Sequence, residues 1–242
     1  MLRLNLWSGP RNVSTALMYS FAQRRDTTVV DEPLYAHYLR ATGIPHPGRE
    51  ETLARQSADG ARVVQEVILG QYQQPVVFFK QMAKHLVELD EVFLTQTTNV
   101  LLIRDPRLVL HSYAQVVETP SAADVGYQRQ YDIWRYLLQE GQHPIVLDGS
   151  EIRKDPEAVL RELCRRLDLP FDPAMLRWEA GPRPEDGVWA KYWYHNVHRS
   201  TGFKPYEQEE ILLPPHLQEV AEELMDFYEP LHRLAIKAQE LP

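Results

Sequence analysis

Short apolar stretches alternate along the chain with longer segments in which apolar positions recur every three or four residues. Five of the stretches are rich in Val, Ile, Leu and Phe, as buried strands are. They lie at residues 2–7, 28–31, 75–80, 99–104 and 144–148. Strands that alternate with helices form a parallel sheet with helices on both faces. The pattern therefore predicts an α/β protein with three layers, α/β/α, around a mostly five-stranded parallel sheet.

The segments between these stretches have the spacing of amphipathic helices. They are residues 13–21, 108–117, 127–138 and 156–167. Residues 215–241 follow the same pattern, and Pro230 predicts a break within them. Residues 43–49 hold two prolines and two glycines, which predicts a loop leading into a helical insertion. We expect one domain over residues 1–242, with a helical tail from about 215 to 242.

The charge balance excludes several classes of partner. Lys and Arg total 26 against 34 Asp and Glu, a formal net charge of -8, so broad binding to nucleic acid or to anionic lipid is not expected. No apolar run approaches the roughly 18 residues of a membrane helix. The apolar start of the chain reaches Pro10 too early for a signal-peptide core. We therefore expect a cytoplasmic protein without nucleic-acid or membrane partners. The only cysteine, Cys164, lies among leucines at helical spacing, which predicts a buried thiol.

Polar residues collect where the predicted strands end. Ligands of parallel α/β sheets bind beyond the carboxyl ends of the strands, so the chemistry is expected there. Arg11 follows the first strand, Glu32 the second and Arg104 the fourth, and Lys80 ends the third. The sequence thus predicts one charged site at one edge of the sheet.

The first strand-to-helix turn has the features of an anion-binding loop. It comprises Gly9, Pro10, Arg11, Asn12, Val13, Ser14 and Thr15. Backbone N–H groups at a helix start bind phosphate, glycine allows close approach, and guanidinium and hydroxyl groups add donors. The turn lacks the Gly-Lys-Ser/Thr of a Walker A loop, which disfavours an ordinary ATPase. The alternative is a plain connection in which Asn12 or Ser14 caps the helix.

A second candidate anion site follows the fourth predicted strand. Asp105 is predicted to cap the next helix, with Pro106 at its first position. Arg104 at the strand end and Ser112 eight residues later can hold one phosphate monoester from two sides. The alternative is that Arg104 pairs with a local carboxylate and that Ser112 is a small packing residue.

Three stretches, in this order, resemble the sulfotransferases that use 3'-phosphoadenosine 5'-phosphosulfate (PAPS). Residues 8–17 are similar to their phosphosulfate-binding loop, and residues 104–113 to their 3'-phosphate motif, including the eight-residue spacing from Arg to Ser. Residues 155–172 resemble the helix that follows their last core strand. The resemblance implies a fold like that of the P-loop NTPases, with helical insertions.

The resemblance also implies a reaction, in which a sulfuryl group passes from PAPS to a hydroxyl or amine of a small-molecule acceptor. Arg11, Ser14 and Thr15 would hold the 5'-phosphosulfate, while Arg104 and Ser112 would hold the 3'-phosphate. No metal is expected. The charge that develops on the leaving oxygens and the acceptor proton must both be handled by side chains.

Three residues are candidates for that catalytic work. Glu32 precedes a proline after the second strand, where several relatives carry a catalytic glutamate, and a base there would need its pKa raised towards neutrality. Its alternative role is to cap the next helix. Lys80 resembles the family's strand-three lysine, which contacts the transferring group. His85 is the rival base. It lies five residues after Lys80, whereas the family's cytosolic members place a lysine and a histidine two residues apart.

The segment of residues 181–204 is dense in aromatic and basic side chains, which suits a lid over a nucleotide. Trp189 and Lys191 partly resemble the family's C-terminal nucleotide loop, and adenine could stack on Trp189 or Trp193. Residues 43–74 and 118–130 are expected to form the acceptor pocket. The acidity of the chain disfavours a heparin-like acceptor and favours a small alcohol, phenol or amine.

Two other functions stay open from the sequence. A small-molecule or nucleotide kinase on a similar sheet would depend on ATP and Mg²⁺, and a non-catalytic nucleotide-binding protein would keep the fold without the chemistry. The helical tail could support a homodimer.

Overall fold

The computed structural model describes residues 1–208 and 211–238. Five parallel strands form one sheet in the order β2-β3-β1-β4-β5. They are β1 (Leu2–Ser8), β2 (Thr27–Asp31), β3 (Val76–Met82), β4 (Thr98–Ile103) and β5 (Ile145–Asp148). The predicted five-stranded parallel sheet is confirmed, with each strand within two residues of its expected bounds.

Helices cover the sheet and fill the connections between strands. In the described ranges they are α1 (Ser14–Ala22), α2 (Tyr35–Thr42), α3 (Arg49–Arg55), α4 (Gly60–Val63), α5 (Pro106–Tyr113), α6 (Ala122–Val125), α7 (Tyr127–Gln139), α8 (Gly149–Lys154), α9 (Pro156–Arg166), α10 (Ala190–Trp193), α11 (His195–His198) and α12 (Pro215–His232). Short 3₁₀ segments occupy Ala83–His85, Glu91–Gln96 and Pro173–Leu176, and a π-helical turn occupies Val64–Ile68. In the part of the chain that the structure describes, no helix is long and apolar enough to cross a membrane.

The sheet is buried on both faces because successive side chains of a strand point in opposite directions. Along β4, Leu101 and Ile103 join the core on one face, whereas Leu102 joins the core on the other. Helices α1 and α9 contribute to the second core, and α5, α7 and α12 to the first. The three-layer α/β/α arrangement is therefore confirmed. Cys164 of α9 is fully buried in the second core, as predicted.

Two predicted boundaries are wrong, and one of them concerns the site. Strand β3 continues for two residues beyond Lys80, so this lysine lies inside the sheet rather than at a strand end. Helix α12 passes through Pro230 and ends at His232. The predicted break is absent because Pro230 lies in the last turn, where its missing N–H removes one bond and the Arg233 amide still bonds to Glu229. Residues 239–241 of the predicted helix lie outside the described residues.

Candidate active site

A cavity lies beyond the carboxyl ends of β1, β2 and β3, where ligands of parallel sheets bind. The volume of the cavity that the centre of a water molecule can occupy is about 110 Å³. Ten of the predicted site residues line it: Gly9, Pro10, Arg11, Asn12, Ser14, Thr15, Glu32, Lys80, His85 and Trp189. Val13, Arg104, Ser112 and Lys191 are not part of its lining. The structure thus gathers most of the predicted site in one place.

The turn between β1 and α1 leaves the start of the helix open. Val13 occupies the cap position and makes no side-chain cap bond. The Asn12 side chain instead accepts a bond from the Val13 amide at 2.9 Å and donates to the Leu102 carbonyl at 3.0 Å. Neither Asn12 nor Ser14 caps α1, so the first N–H groups of the helix remain available to an anion.

The two predicted anion sites are neighbours in the fold. Arg11 donates from Nε to the hydroxyl of Ser112 at 3.0 Å, and Arg104 donates from Nη1 to the Arg11 carbonyl at 2.9 Å. Asp105 accepts from the Arg107 amide, so it caps α5 as predicted, with Pro106 at the first position. Arg104 and Ser112 therefore flank the turn, behind the residues that line the cavity.

Gly9 is needed for packing of the turn against the α6 segment. A Cβ on this residue would lie 2.5 Å from the backbone oxygen of Val125, closer than a real side-chain carbon approaches an oxygen. The sequence predicted close approach to a phosphate at this glycine. The structure shows close approach to the Val125 backbone, and the approach of a phosphate stays a prediction.

A buried ion cluster forms the floor of the cavity. Asp31 ends β2 and is the register partner of Lys80 in β3. Lys80 is 1% exposed, and its ammonium group donates to Asp31 at 3.0 Å, to Tyr194 at 2.7 Å and to Glu32 by a short bond. An ammonium group has three hydrogens, so each hydrogen of Lys80 has a partner.

Residues 187–194 bond to this cluster through Tyr194 and Gly187. The hydroxyl of Tyr194 donates to Asp31 at 2.7 Å and accepts from Trp189 at 3.2 Å. The Gly187 amide donates to the same carboxylate at 3.1 Å. Trp189 is 2% exposed and packs edge-on against Tyr35, with ring centroids 4.9 Å apart.

The surroundings of Glu32 and Lys80 raise the pKa of both side chains. Burial raises the pKa of Glu32 and the nearby Asp31 raises it further, while Lys80 opposes the shift without cancelling it. For Lys80, burial lowers the pKa, but the carboxylates of Asp31 and Glu32 outweigh burial and the net pKa is raised. Lys80 is therefore a firmly charged ammonium group beside a carboxylate that binds a proton more readily than usual.

His85 lies between two tyrosine rings in the wall of the cavity. Tyr35 stacks on it with centroids 4.7 Å apart and an interplanar angle of 4°, and Tyr38 stacks on it at 4.7 Å. Its Nδ1 is 3.8 Å from a carboxylate oxygen of Glu32. Burial, with Lys84 and Lys80 nearby, lowers its pKa well below the usual value. The imidazole is thus neutral and positioned beside the Glu32 carboxylate.

The structure does not bring Lys191 to the cavity. Its ammonium group is exposed and binds the carboxylate of Glu51 at 2.7 Å. A second cleft shares Asn12 and Thr15 with the cavity and is also lined by Arg199 and Lys204. Both residues belong to the segment 181–204, which is rich in aromatic and basic side chains. The sequence did not distinguish them as site residues, because basic residues are spread across that whole segment.

Comparison with known proteins connects this geometry to a family. A model described as sulfotransferase domain matches residues 2–235. The chain belongs to this family. The sulfotransferase resemblance predicted from three motifs is therefore confirmed. In residues 1–208 and 211–238, no group of three or more His, Cys, Asp or Glu side chains could hold a metal ion.

Two curated relatives from Arabidopsis thaliana are longer proteins. The chain is 45% identical over 201 residues to branched-chain-amino-acid aminotransferase-like protein 1, covering 83% of this chain and 36% of that protein. It is 38% identical over 245 residues to branched-chain-amino-acid aminotransferase-like protein 2, covering 99% of this chain and 44% of that protein. The chain thus spans less than half the length of both relatives, and their names describe those whole proteins.

A solved structure supports the fold of this sulfotransferase domain. The sulfotransferase domain of the olefin synthase from Synechococcus PCC 7002 has a TM-score of 0.55 to this chain at 18% identity. The likeness covers 92% of this chain and 94% of that domain. The predicted fold, a parallel sheet of the sulfotransferase type with added helices, is confirmed.

Proposed function

We propose that this sulfotransferase domain transfers a sulfuryl group from PAPS to a hydroxyl or amine of a small-molecule acceptor. The observation that carries the proposal is one cavity that holds both an uncapped helix start and the buried pair Glu32 and Lys80. The first feature suits the anionic end of the donor, and the second suits the proton and the charge that move in the reaction. PAPS would supply the activated sulfuryl group.

The donor would lie along the turn between β1 and α1. The open N–H groups of α1 and the hydroxyls of Ser14 and Thr15 would bind the 5'-phosphosulfate. Arg104 and Ser112 lie beside Arg11 and would bind the 3'-phosphate. The adjoining cleft, with Arg199 and Lys204 in its lining, has room and positive charge for the rest of the nucleotide.

Lys80 would stabilise the oxygen that leaves with the nucleotide. All three of its ammonium hydrogens already have partners, so a new bond to that oxygen requires one partner to be released. Release of Glu32 serves the reaction best, because Asp31 and Tyr194 would keep Lys80 in place. A Glu32 carboxylate without its cation would also bind a proton more strongly.

Glu32 would then act as the general base. The acceptor oxygen or nitrogen forms a bond to sulfur, the bond between sulfur and the bridging oxygen breaks, and that oxygen keeps the electron pair. The acceptor proton passes to the Glu32 carboxylate. His85 is neutral and 3.8 Å from Glu32, so it is the second candidate for this proton.

The test of this function is transfer of label from ³⁵S-labelled PAPS. The purified protein is incubated with a panel of phenols, alcohols and amines, and labelled products are separated from the donor. We expect a labelled ester or sulfamate with at least one member of the panel, without added metal ion. Transfer of ³²P from the γ-position of ATP, with no transfer of ³⁵S, would contradict the proposal and identify a kinase.

A further inference from the structure

Lys84 is a cation of the cavity for which the donor provides no evident task. It lies in the 3₁₀ segment Ala83–His85 that follows β3. Its side chain is half-buried and lines the cavity together with Glu32 and His46. Lys84 also borders an outer cleft beside α6 and α7. Lys84 thus borders both the cavity and this outer cleft.

The ammonium group of Lys84 lacks the partner that buried cations usually have. Lys80 binds two carboxylates, whereas Lys84 forms no ion pair with any carboxylate of residues 1–208 or 211–238. The contact found for it is the ring of Tyr38, whose centroid lies 5.7 Å away. Burial lowers the pKa of Lys84, against the opposing charges of Asp124 and Glu32. An anion brought into the cavity would compensate this loss of hydration.

The surroundings of Lys84 place that anion on the acceptor rather than on the donor. In the proposed function, the donor's charges would face the turn of Arg11 and the flanking Arg104. Lys84 instead faces Tyr38 of α2, and the Gly126 junction packs on its backbone, where a Cβ would lie 3.6 Å from the Lys84 amide nitrogen. Both belong to segments outside the turn that would hold the phosphosulfate.

The neighbouring walls of the cavity are flat and largely apolar. Tyr35, His46, Trp189 and Trp193 all line it, and the rings of His46 and Trp193 lie 5.7 Å apart. Burial lowers the pKa of His46 to about 4, so this ring is neutral near pH 7. Such walls suit a planar or apolar body in a cavity that both Glu32 and Lys84 also line.

We propose that Lys84 binds a carboxylate of the acceptor, and that the acceptor is a hydroxyl- or amine-bearing carboxylic acid with a planar or apolar body. The proposal rests on the sulfotransferase function above and narrows its substrate class. Lys84 thereby selects acceptors by charge, while the hydroxyl or amine is turned towards Glu32.

The test uses two probes that differ in one group. 4-Hydroxyphenylacetate and 4-hydroxyphenylacetamide have the same phenol and the same ring, but only the first carries a carboxylate. Their affinities are measured by calorimetry on protein saturated with 3'-phosphoadenosine 5'-phosphate (PAP). Lys84→Met removes the charge and Lys84→Arg keeps it. Lys154→Met is the control, since Lys154 of α8 is paired with Glu151 and does not line the cavity.

We expect wild type and Lys154→Met to bind the carboxylate at least tenfold more tightly than the amide. Lys84→Met should reduce that preference to less than twofold, Lys84→Arg should retain part of it, and PAP affinity should stay within twofold in every variant. Equal affinity for both probes, or no binding of either to the PAP complex, would overturn the substrate class while leaving the donor proposal intact.

Two further outcomes separate the failure of this proposal from that of the function. Loss of PAP affinity in a folded Lys84→Met, with the melting curve of wild type, would assign Lys84 to the donor and overturn the inference. Failure of the wild type to bind PAP would overturn the proposed function, and the inference with it.

Discussion

At the scale of single residues, the central feature of the site is the set of hydrogen bonds that Lys80 makes. Its ammonium group is bound by Asp31, Glu32 and Tyr194. Removing one partner of a buried ion pair leaves the other charge uncompensated. In the proposed reaction, Asp31 would keep its bond to Lys80, whereas Glu32 would release Lys80 and accept a proton.

Glu32→Gln should separate binding from chemistry. The amide cannot accept the acceptor proton, so we expect turnover to fall by on the order of 10²-fold or more, with PAP affinity close to that of wild type. Steady-state rates with ³⁵S-labelled PAPS and calorimetry with PAP measure the two effects. Glu51→Gln, an exposed glutamate outside the cavity, is the control. Turnover near the wild-type rate would make His85 the base.

Arg104→Ala should weaken the binding of PAP more than the binding of AMP. Hydrogen bonds to charged groups contribute about 1.5–3 kcal/mol each, so we expect PAP affinity to fall by roughly 10- to 150-fold. AMP has no 3'-phosphate, so its affinity should fall less, by the part that comes from the lost bond between Arg104 and the Arg11 carbonyl. Arg107→Ala is the matched control, because Arg107 is exposed and binds Asp105. Equal losses for PAP and AMP would contradict the assignment of Arg104.

We expect the stability of the protein to depend on pH through the lowered pKa of His46. The pKa of His46 is lowered to about 4 by burial, whereas an unfolded histidine titrates near 6.5. Below pH 6.5 the unfolded chain therefore binds a proton that the folded chain rejects, and the free energy of unfolding falls as the pH drops from about 6.5 to about 4. Denaturant melts of wild type and His46→Gln measure this loss.

His46→Gln should lose less stability than wild type over that pH range. His85 has a pKa lowered in the same direction, so part of the dependence remains. His216→Gln, on the exposed side of α12, should leave the profile unchanged. A profile that is identical in all three proteins would contradict the lowered pKa of the half-buried His46.

At the scale of elements, residues 187–194 contribute to the site although they are distant in sequence from the strands that form it. Gly187, Trp189 and Tyr194 all bond to Asp31 or to one another. These bonds join the segment to the carboxyl ends of β2 and β3. The position of Lys80 thus depends on a segment more than one hundred residues away in sequence.

Tyr194→Phe should remove one hydrogen bond of Lys80 while keeping the aromatic ring in place. The variant leaves one hydrogen of Lys80 and the indole N–H of Trp189 without an acceptor, and each such loss costs about 1–3 kcal/mol of folding stability. We expect lower turnover with little change in PAP affinity, measured by the ³⁵S assay and calorimetry. Tyr192→Phe, an exposed neighbour on α10, should match wild type, and a Tyr194→Phe enzyme with normal turnover would show that Tyr194 is not needed to position Lys80.

The elements were predictable from the sequence because their signals are local. Apolar runs marked the five strands, and Asp105 with Pro106 marked the start of α5. The cluster of Asp31, Lys80 and Tyr194 was not predictable in full, since it joins residues up to 163 positions apart and depends on the sheet register. The missed Tyr194 lay among other aromatic residues, and nothing in its spacing distinguished it.

At the scale of the whole molecule, an acidic chain holds a local cluster of cations. The net charge is -8, yet Arg11, Lys80 and Lys84 all line one cavity. Local charge of this kind favours a small anionic ligand over an extended polyanion. The single-domain organisation stays a prediction, and both curated relatives are more than twice as long as the part that this chain matches.

Thermal unfolding with nucleotides tests the central claim most directly. A ligand that binds only the folded state at about one hundred times its Kd stabilises by about 2.7 kcal/mol. We predict stabilisation of this size by PAP, and a much smaller effect of AMP at the same concentration, because only PAP engages both anion sites. Stabilisation by ATP with Mg²⁺ and not by PAP, or no response to any of the three, would contradict the claim that this cavity binds the PAPS donor.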